Sequence, residues 1–139
     1  MVTVQADLAN HQDGRWTEAL KNSDVIVHLA AQNPYPTASW EDAVASFDMT
    51  LNLLGAAGKA GVSRFVFISS NHVMGGYKDA MPVIPPGDLT EALPPRPGAR
   101  TRDAEGHVND RPAYAAHKLM GERLCASAGA SRARICHRR

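Results

Sequence analysis

The runs Asp24–Ala31 (DVIVHLAA) and Arg64–Ser70 (RFVFISS) decide how this chain folds. Both are short, apolar and β-prone, and neither alternates cleanly, so each predicts a strand buried on both faces. Between them, Ser39–Ala60 repeats apolar residues at three- and four-residue spacing, which predicts a helix that ends at Gly61. The apolar residues of that helix are Val44, Phe47, Leu51, Leu54 and Ala57–Ala60.

The flanking segments extend this alternation of strands and helices. Met1–Gln5 predicts the end of a further strand, and Trp16–Lys21 predicts a short helix. Six of the nine prolines fall between residues 82 and 97, which excludes regular structure there and predicts a long loop over 80–111. Pro112–Ser127 predicts the last helix, because proline suits a first helical turn. The fold class is therefore α/β, a doubly wound parallel sheet with helices on both faces.

Charge is uneven along the 139 residues, although 44% of them are hydrophobic and support a packed core. Residues 1–95 carry 5 Lys and Arg against 10 Asp and Glu, whereas residues 96–139 carry 10 against 4. Four arginines lie in the last eight residues, so 128–139 is interpreted as an irregular basic tail. Since the tail has no interleaved aromatic residues and no amphipathic period, we expect no nucleic-acid partner and no membrane partner.

Several classes of protein are disfavoured by what the sequence lacks. No apolar run approaches the length of a transmembrane helix, and the N-terminal residues do not resemble a signal peptide. Two cysteines, Cys125 and Cys136, do not make a disulfide framework, so a cytoplasmic location is expected. No grouping of side chains has metal-ligand spacing, so we expect no metal, and no G-x-S-x-G hydrolase motif occurs.

Ligands of open parallel sheets sit beyond the carboxyl ends of the strands, which directs attention to Asp7, Ala30-Ala31 and Ser69–His72. On the last predicted helix, Tyr114 and Lys118 are four residues apart and share a face. An ammonium beside a phenol favours the phenolate, so such a tyrosine could exchange a proton with a substrate hydroxyl or carbonyl. A serine at a strand end, such as Ser70, could hold the same oxygen.

Four segments, in order, resemble the extended short-chain dehydrogenases/reductases, the NAD-dependent epimerase/dehydratase family. They are Ala6-Asp7-Leu8; His28-Leu29-Ala30-Ala31; Phe65–Ser70 followed by Val73-Met74-Gly75; and Tyr114-Ala115-Ala116-His117-Lys118 continuing into Leu119-Met120-Gly121-Glu122. The likeness covers about residues 1–127 and implies an incomplete Rossmann-like fold that forms part of an NAD(P)-binding domain.

The resemblance implies a role for each matched residue. Catalytic residues would be Ser70, Tyr114 and Lys118, with Ser70 preferred to Ser69 by its distance from Gly75. The cofactor, NAD or NADP, would contact Asp7, Leu8, Leu29, Ala30, Ala31, Tyr114 and Lys118. Ser70-Asn71-His72 more narrowly resembles uronate dehydrogenases, whose Asn and His face the substrate. The implied activity is hydride transfer on a sugar, nucleotide sugar or sugar acid, with tyrosine as acid/base.

The chain departs from the family pattern at three places. No Gly-rich pyrophosphate loop is present, so the resemblance implies that this loop and the first β-α-β unit would precede Met1. Ser46 stands where an Asn usually supports the catalytic Lys, and Met49 replaces a Gly. After Cys125 an arginine-rich ending takes the place of the family's next strand. A catalytically incompetent fragment or remnant is therefore the alternative. Family members often dimerise through helices corresponding to Ser39–Ala60 and Pro112–Ser127, so a homodimer is possible.

Overall fold

The computed structural model describes residues 2–33, 39–78, 84–85, 87–98, 100–102, 104–106, 108–110 and 112–136. Its elements, in chain order, are α1 (Gly14–Leu20), β1 (Val25–His28), α2 (Trp40–Ala60), β2 (Arg64–Phe67), a 3₁₀ helix (Asn71–Tyr77), β3 (Arg100–Arg102), β4 (Val108–Asp110) and α3 (Pro112–Cys136). β1 pairs in parallel with β2, and β3 pairs with β4 in a separate antiparallel ladder. The predicted α/β class with a parallel β-α-β unit is confirmed.

Local signals at both ends fix the extent of α2. Ser39 is the N-cap, because its hydroxyl accepts a hydrogen bond from the Asp42 amide at 3.0 Å while the Asp42 carboxylate accepts one from the Ser39 amide. At the other end Gly61 has a φ of 77°, a left-handed conformation that favours glycine. The predicted helix and its terminating glycine are therefore confirmed.

The core lies between the first two helices and the parallel strands. Its buried residues are Trp16, Leu20, Ile26, Leu53, Ala57 and Val62. Burial of these side chains ties α1 and α2 to the strand pair, and each large one contributes about 1.5–3 kcal/mol.

The prediction that both strands are buried on both faces is wrong for the described residues. In β1, Ile26 and His28 are buried, whereas Val25 and Val27 are 48% and 54% exposed. Ile26 and His28 stand opposite Phe65 and Phe67 of β2, so the inward side chains share one face. Among the described residues, the helices that pack on β1 and β2 cover this inward face. The alternation of inward and outward side chains cannot be read from the sequence of β1, because valine occupies the outward positions as well.

The face that α2 buries also differs from the predicted apolar stripe. Val44 and Leu51 are 59% and 46% exposed. Ala57 is buried as predicted, and the other buried positions are Ala43, Ser46, Thr50 and Leu53. The two buried hydroxyls are hydrogen-bonded inside the protein, which removes most of the cost of burying them. Up to Leu53, the face that packs therefore lies one residue away from the stripe predicted from hydrophobicity alone.

Helix α3 begins at Pro112 as predicted but continues to Cys136, so the irregular tail predicted from residue 128 is wrong over that range. Its Ala and Arg residues are good helix formers, and no proline interrupts them. The domain boundary at residue 127 stays a prediction, and residues 137–139 lie outside the described residues. None of the described helices is long and apolar enough to cross a membrane. The cytoplasmic location stays a prediction.

Two shorter segments also differ from expectation. Val2–Gln5 forms no strand, since no neighbouring strand among the described residues pairs with it. The loop predicted over 80–111 contains the β3–β4 ladder near its end. Between residues 82 and 97, the described residues contain turns and no helix or strand, in agreement with the proline content.

We expect Gly121→Ala to lower the free energy of unfolding by about 1–3 kcal/mol. A methyl group at Gly121 would lie 2.5 Å from Phe67 Cζ and 2.9 Å from Phe67 Cε1, so α3 could not keep its distance from β2. Urea unfolding followed by circular dichroism measures the change.

Gly129→Ala is the matched control on the same helix. Nothing lies within 4 Å of its added methyl group, so the higher helix propensity of alanine should stabilise the protein by about 1 kcal/mol. Equal stability changes in the two variants would contradict the close approach at Gly121.

Candidate active site

The predicted substrate-binding residues meet where β2 passes into the 3₁₀ helix. Ser70 is the N-cap of that helix, and its hydroxyl accepts a hydrogen bond from the His72 amide at 3.2 Å. His72 Nδ1 lies 2.7 Å from Asn71 Oδ1 and 3.2 Å from Ser70 Oγ. Ser70, Asn71 and His72 therefore form one hydrogen-bonded group at the carboxyl end of the strand.

The Tyr114 ring lies against this group from the first turn of α3. Its centroid is 5.6 Å from the His72 ring centroid, in an edge-to-face arrangement at 82°. Lys118, one turn further along, has its ammonium 5.9 Å from the Tyr114 ring centroid. The structure thus brings Ser70, Tyr114 and Lys118, the three predicted catalytic residues, to the same end of β2, with His72 between Ser70 and Tyr114.

Lys118 is buried, and its ammonium is fixed by contacts with β2 and the residue after it. Nζ donates a hydrogen bond to the Ile68 carbonyl at 2.8 Å and lies 5.0 Å from the Phe67 ring centroid. Burial lowers the pKa of Lys118, because the charged form loses water. The ammonium therefore has a fixed position rather than the mobility of a surface lysine.

Two further histidines are buried around this ammonium. His28 Nε2 lies 2.9 Å from Thr50 Oγ1, and Thr50 in turn donates to the Ser46 carbonyl. His117 packs edge-on against Tyr114, with the ring centroids 5.0 Å apart. Burial, followed by the positive charge of Lys118, lowers the pKa of both His28 and His117 to about 4. Both rings are therefore neutral near neutral pH.

The first predicted cofactor segment, Asp7-Leu8, is held by Asn52 of α2 and by Asp13, the N-cap residue of α1. Asn52 Nδ2 donates to the carbonyls of Leu8 and Ala9, each at 3.0 Å. The Asp7 amide donates to Asp13 Oδ2 at 2.9 Å, and the hydrogen bond from Arg15 holds the pKa of Asp13 well below its usual range. This segment has a defined backbone path although it belongs to no strand.

The second cofactor segment, Leu29-Ala30-Ala31, follows β1. Leu29 is 67% exposed, and Ala30 is exposed too. Just beyond it, the Gln32 amide donates to Ser46 Oγ at 2.9 Å, and that hydroxyl donates to the Asp42 carbonyl. Ser46 and Asn52 are six residues apart on α2, about 9 Å along its axis, so one helix anchors both cofactor segments.

Three residues that contact the predicted site were not themselves predicted to belong to it. Glu122 accepts a hydrogen bond from the Ser69 hydroxyl, Asn52 holds Leu8, and His117 packs on Tyr114. The sequence contained a signal for Glu122, because it follows Lys118 by four residues and so shares its helix face.

In the part of the chain that the structure describes, no group of His, Cys, Asp or Glu could hold a metal ion.

Comparison with known proteins gives a family match over nearly the whole chain. The model of the NAD dependent epimerase/dehydratase family matches residues 2–137. An L-arabinose 1-dehydrogenase (NAD(P)(+)) of Haloferax volcanii is 35% identical over 113 aligned residues, and the match covers 78% of this chain and 40% of that protein. An NAD-dependent glucose-6-phosphate dehydrogenase of the same organism is 36% identical over 61 residues, 43% of this chain and 23% of its own length.

Among solved structures, a crystal structure of UDP-galactose 4-epimerase is similar, with a TM-score of 0.60 and 26% identity. The match covers 88% of this chain and 34% of that one. The chain therefore spans 40% or less of the length of the relatives it matches.

The free energy of unfolding should fall when the pH is lowered from about 7 to 5. Unfolded histidine, with its ordinary pKa of 6.5, takes up a proton in this range, whereas His28 and His117 with pKa values of about 4 stay neutral in the folded protein. The unfolded state therefore binds more protons, and each histidine removes roughly 2 kcal/mol of stability at the lower pH. Urea unfolding at the two pH values measures the difference.

The His28→Gln variant, which can still donate a hydrogen bond to Thr50, should show about half of this pH-dependent loss. His11→Gln, a change at an exposed position, should show all of it. A wild-type stability that is equal at both pH values would contradict the low pKa values.

Proposed function

The chain belongs to the NAD-dependent epimerase/dehydratase family, and we propose that it acts in hydride transfer between NAD or NADP and a sugar-type substrate. The observation that carries the proposal is the convergence of Ser70, His72, Tyr114 and Lys118 at the carboxyl end of β2. In open parallel sheets this is the edge at which ligands bind.

The proposed substrate class is a sugar, a nucleotide sugar or a sugar acid. Support comes from the names of the similar proteins, which refer to L-arabinose, glucose 6-phosphate and UDP-galactose. Hydrogen-bonding side chains at Ser70, Asn71 and His72 suit a ligand rich in hydroxyl groups.

Two features of the structure support the residues proposed for the cofactor. Leu29 and Ala30 present apolar surface to solvent directly after a strand, and a ligand that covers this surface gains hydrophobic free energy. Asp7 has an exposed side chain on a backbone that Asn52 and Asp13 hold in place. Asp7, Leu8, Leu29, Ala30 and Ala31 would hold the dinucleotide, together with Tyr114 and Lys118. When bound, the cofactor supplies the hydride acceptor or donor.

In the proposed mechanism, Tyr114 is the acid/base. Its phenolate oxygen takes the proton of the substrate hydroxyl during oxidation, and its phenol returns a proton to the carbonyl oxygen during reduction. In this proposal the Lys118 ammonium, 5.9 Å from the Tyr114 ring centroid, provides a positive charge that offsets the negative charge developing on the tyrosine oxygen during proton transfer. Since the Ile68 carbonyl fixes that ammonium, little reorganisation is needed when the phenol loses its proton.

Ser70, Asn71 and His72 orient the substrate in this proposal. Ser70 donates a hydrogen bond to the oxygen that reacts with Tyr114, and Asn71 and His72 contact the remaining hydroxyl groups of the sugar. Their mutual hydrogen bonds hold these side chains in place before the substrate arrives. Such preorganisation lowers the entropic cost of reaching the transition state.

The variant Tyr114→Phe should lower kcat by about 10²–10⁴-fold and change the affinity for NAD or NADP by less than about threefold. The ring stays in place, whereas the proton-transferring oxygen is lost. Isothermal titration with each cofactor measures binding, and the absorbance of the reduced cofactor measures turnover with arabinose, glucose 6-phosphate and UDP-galactose.

Tyr77→Phe is the matched control, because the Tyr77 hydroxyl donates to the Pro94 carbonyl and has no part in the proposed proton transfer. This variant should keep its turnover. Near-normal turnover in Tyr114→Phe would exclude Tyr114 as the acid/base. If the wild-type chain binds neither cofactor, the alternative of a catalytically incompetent fragment is favoured.

We also propose that two copies of the chain associate through α2 and α3. Trp40, Val44 and Leu51 form an exposed apolar row on α2, and Met120 is half exposed on α3. A groove of about 390 Å³ runs between the two helices, lined by Leu51 and Leu54 from α2 and by Leu124 and Cys125 from α3. Apolar surface of this kind, contributed by neighbouring helices, is typical of homodimer interfaces.

Sedimentation equilibrium should therefore report a mass near twice 14.9 kDa. Leu51→Asp should weaken the association by at least about tenfold, since it places a charge in the interface. Val25→Asp, on the exposed face of β1, is the control and should leave the mass unchanged. Dissociation by Val25→Asp but not by Leu51→Asp would move the interface to the sheet. A monomer at every concentration would contradict the proposal.

A further inference from the structure

The Tyr114 ring has an edge-on histidine neighbour on its own helix as well as one on the 3₁₀ helix. His117 lies 5.0 Å away at an interplanar angle of 74°, and His72 lies 5.6 Å away at 82°. Edge-to-face contacts are the preferred geometry of aromatic pairs, so both neighbours restrict where the phenol ring lies. The hydroxyl lies on the axis about which the ring turns, so its position is set by the χ1 torsion of Tyr114, which these contacts restrict.

His117 is held more firmly than His72. It is 3% exposed and lies where α3 faces α2, whereas His72 is half-buried. The narrow space that His117 shares with Ala43 and Ser46 has no room for a water molecule. His117 therefore provides the rigid side of the contact, and His72 belongs to the group proposed to touch substrate.

Packing alone does not explain a histidine at this position. The Nδ1 atom of His117 is buried without a full hydrogen bond within the described part of the chain, although the imidazole interacts with the Tyr114 main chain. An unsatisfied buried nitrogen lowers stability, and an apolar side chain of similar size would fill the space without that loss. The residue is therefore a candidate for a role that is not stability.

The surroundings of His117 favour an aromatic ring without charge. Around His117 lie the Lys118 ammonium, the His28 ring and Asp42 of α2. Burial and the nearby positive charge lower the pKa of His117 to about 4. At neutral pH the ring adds no second positive charge beside Lys118. Imidazole is also the smallest aromatic side chain, which suits the narrow space next to α2.

We propose that His117 is a positioning residue for Tyr114: its buried imidazole ring sets the orientation of the phenol and so aims the hydroxyl at the reacting oxygen. The inference rests on the acid/base role proposed for Tyr114. His117 itself touches neither substrate nor cofactor in this proposal and acts through the tyrosine ring.

Two substitutions separate positioning from packing. His117→Leu removes the ring and the unsatisfied nitrogen, so its melting temperature should equal or exceed that of the wild type, while kcat falls about tenfold or more and KM for the cofactor changes less than about twofold. His117→Phe keeps a planar ring and should recover most of the lost kcat. A purely structural residue would make activity follow stability.

A second readout does not depend on turnover. In protein with ¹³C- and ¹⁵N-labelled tyrosine, the three-bond couplings that report the χ1 angle of Tyr114, identified by their loss in Tyr114→Phe, should change in His117→Leu and return towards their wild-type values in His117→Phe. Unchanged Tyr114 couplings in His117→Leu would overturn the inference, as would an unchanged kcat. If the wild-type chain shows no turnover but these couplings change, the proposed function fails and the positioning of Tyr114 by His117 stands.

Discussion

The Lys118 ammonium lies inside the protein and donates a hydrogen bond to the main-chain carbonyl of Ile68. A charge removed from water costs free energy unless other groups replace its hydration. Here the Ile68 carbonyl and the Phe67 ring do so, and both belong to β2 or its immediate continuation. The position of α3 along β2 is therefore tightly restricted, and Glu122, by accepting from Ser69, fixes the next turn in the same register.

The same buried charge shapes the polar interior around it. His28 and His117 stay neutral because they are buried beside a cation, and neutral His28 can donate to Thr50. Thr50 and Ser46 are then inward-facing on α2, where a pattern based on hydrophobicity would place apolar residues. The helix is thus oriented by specific hydrogen bonds as well as by Leu53 and Ala57 in the core.

The distance in sequence between interacting residues explains which parts of the structure could be predicted. The α2 boundaries were predictable because Ser39 and Gly61 act within a few residues of the chain, and the positions of Ser70, Tyr114 and Lys118 were predictable from strand ends and helix spacing. The buried face of α2 was not, because its hydroxyls are satisfied by Gln32 and His28, which are distant in sequence. One-sided burial of β1 was hidden for a related reason, since outward Val25 and Val27 are as apolar as inward Ile26.

Ser46 on α2 and His117 on α3 border the same narrow space. Ser46 stands where the resembling family usually has an asparagine, and its smaller side chain is occupied by Gln32 and Asp42 rather than directed towards Lys118. Opposite Ser46, His117 borders the same narrow space and contacts Tyr114. A small side chain on α2 leaves room for a ring on α3, and in a close-packed interior the two sizes must match. The chain thus keeps the Tyr-Lys spacing of α3, with Ser46 and His117 in the narrow space that Tyr114 borders.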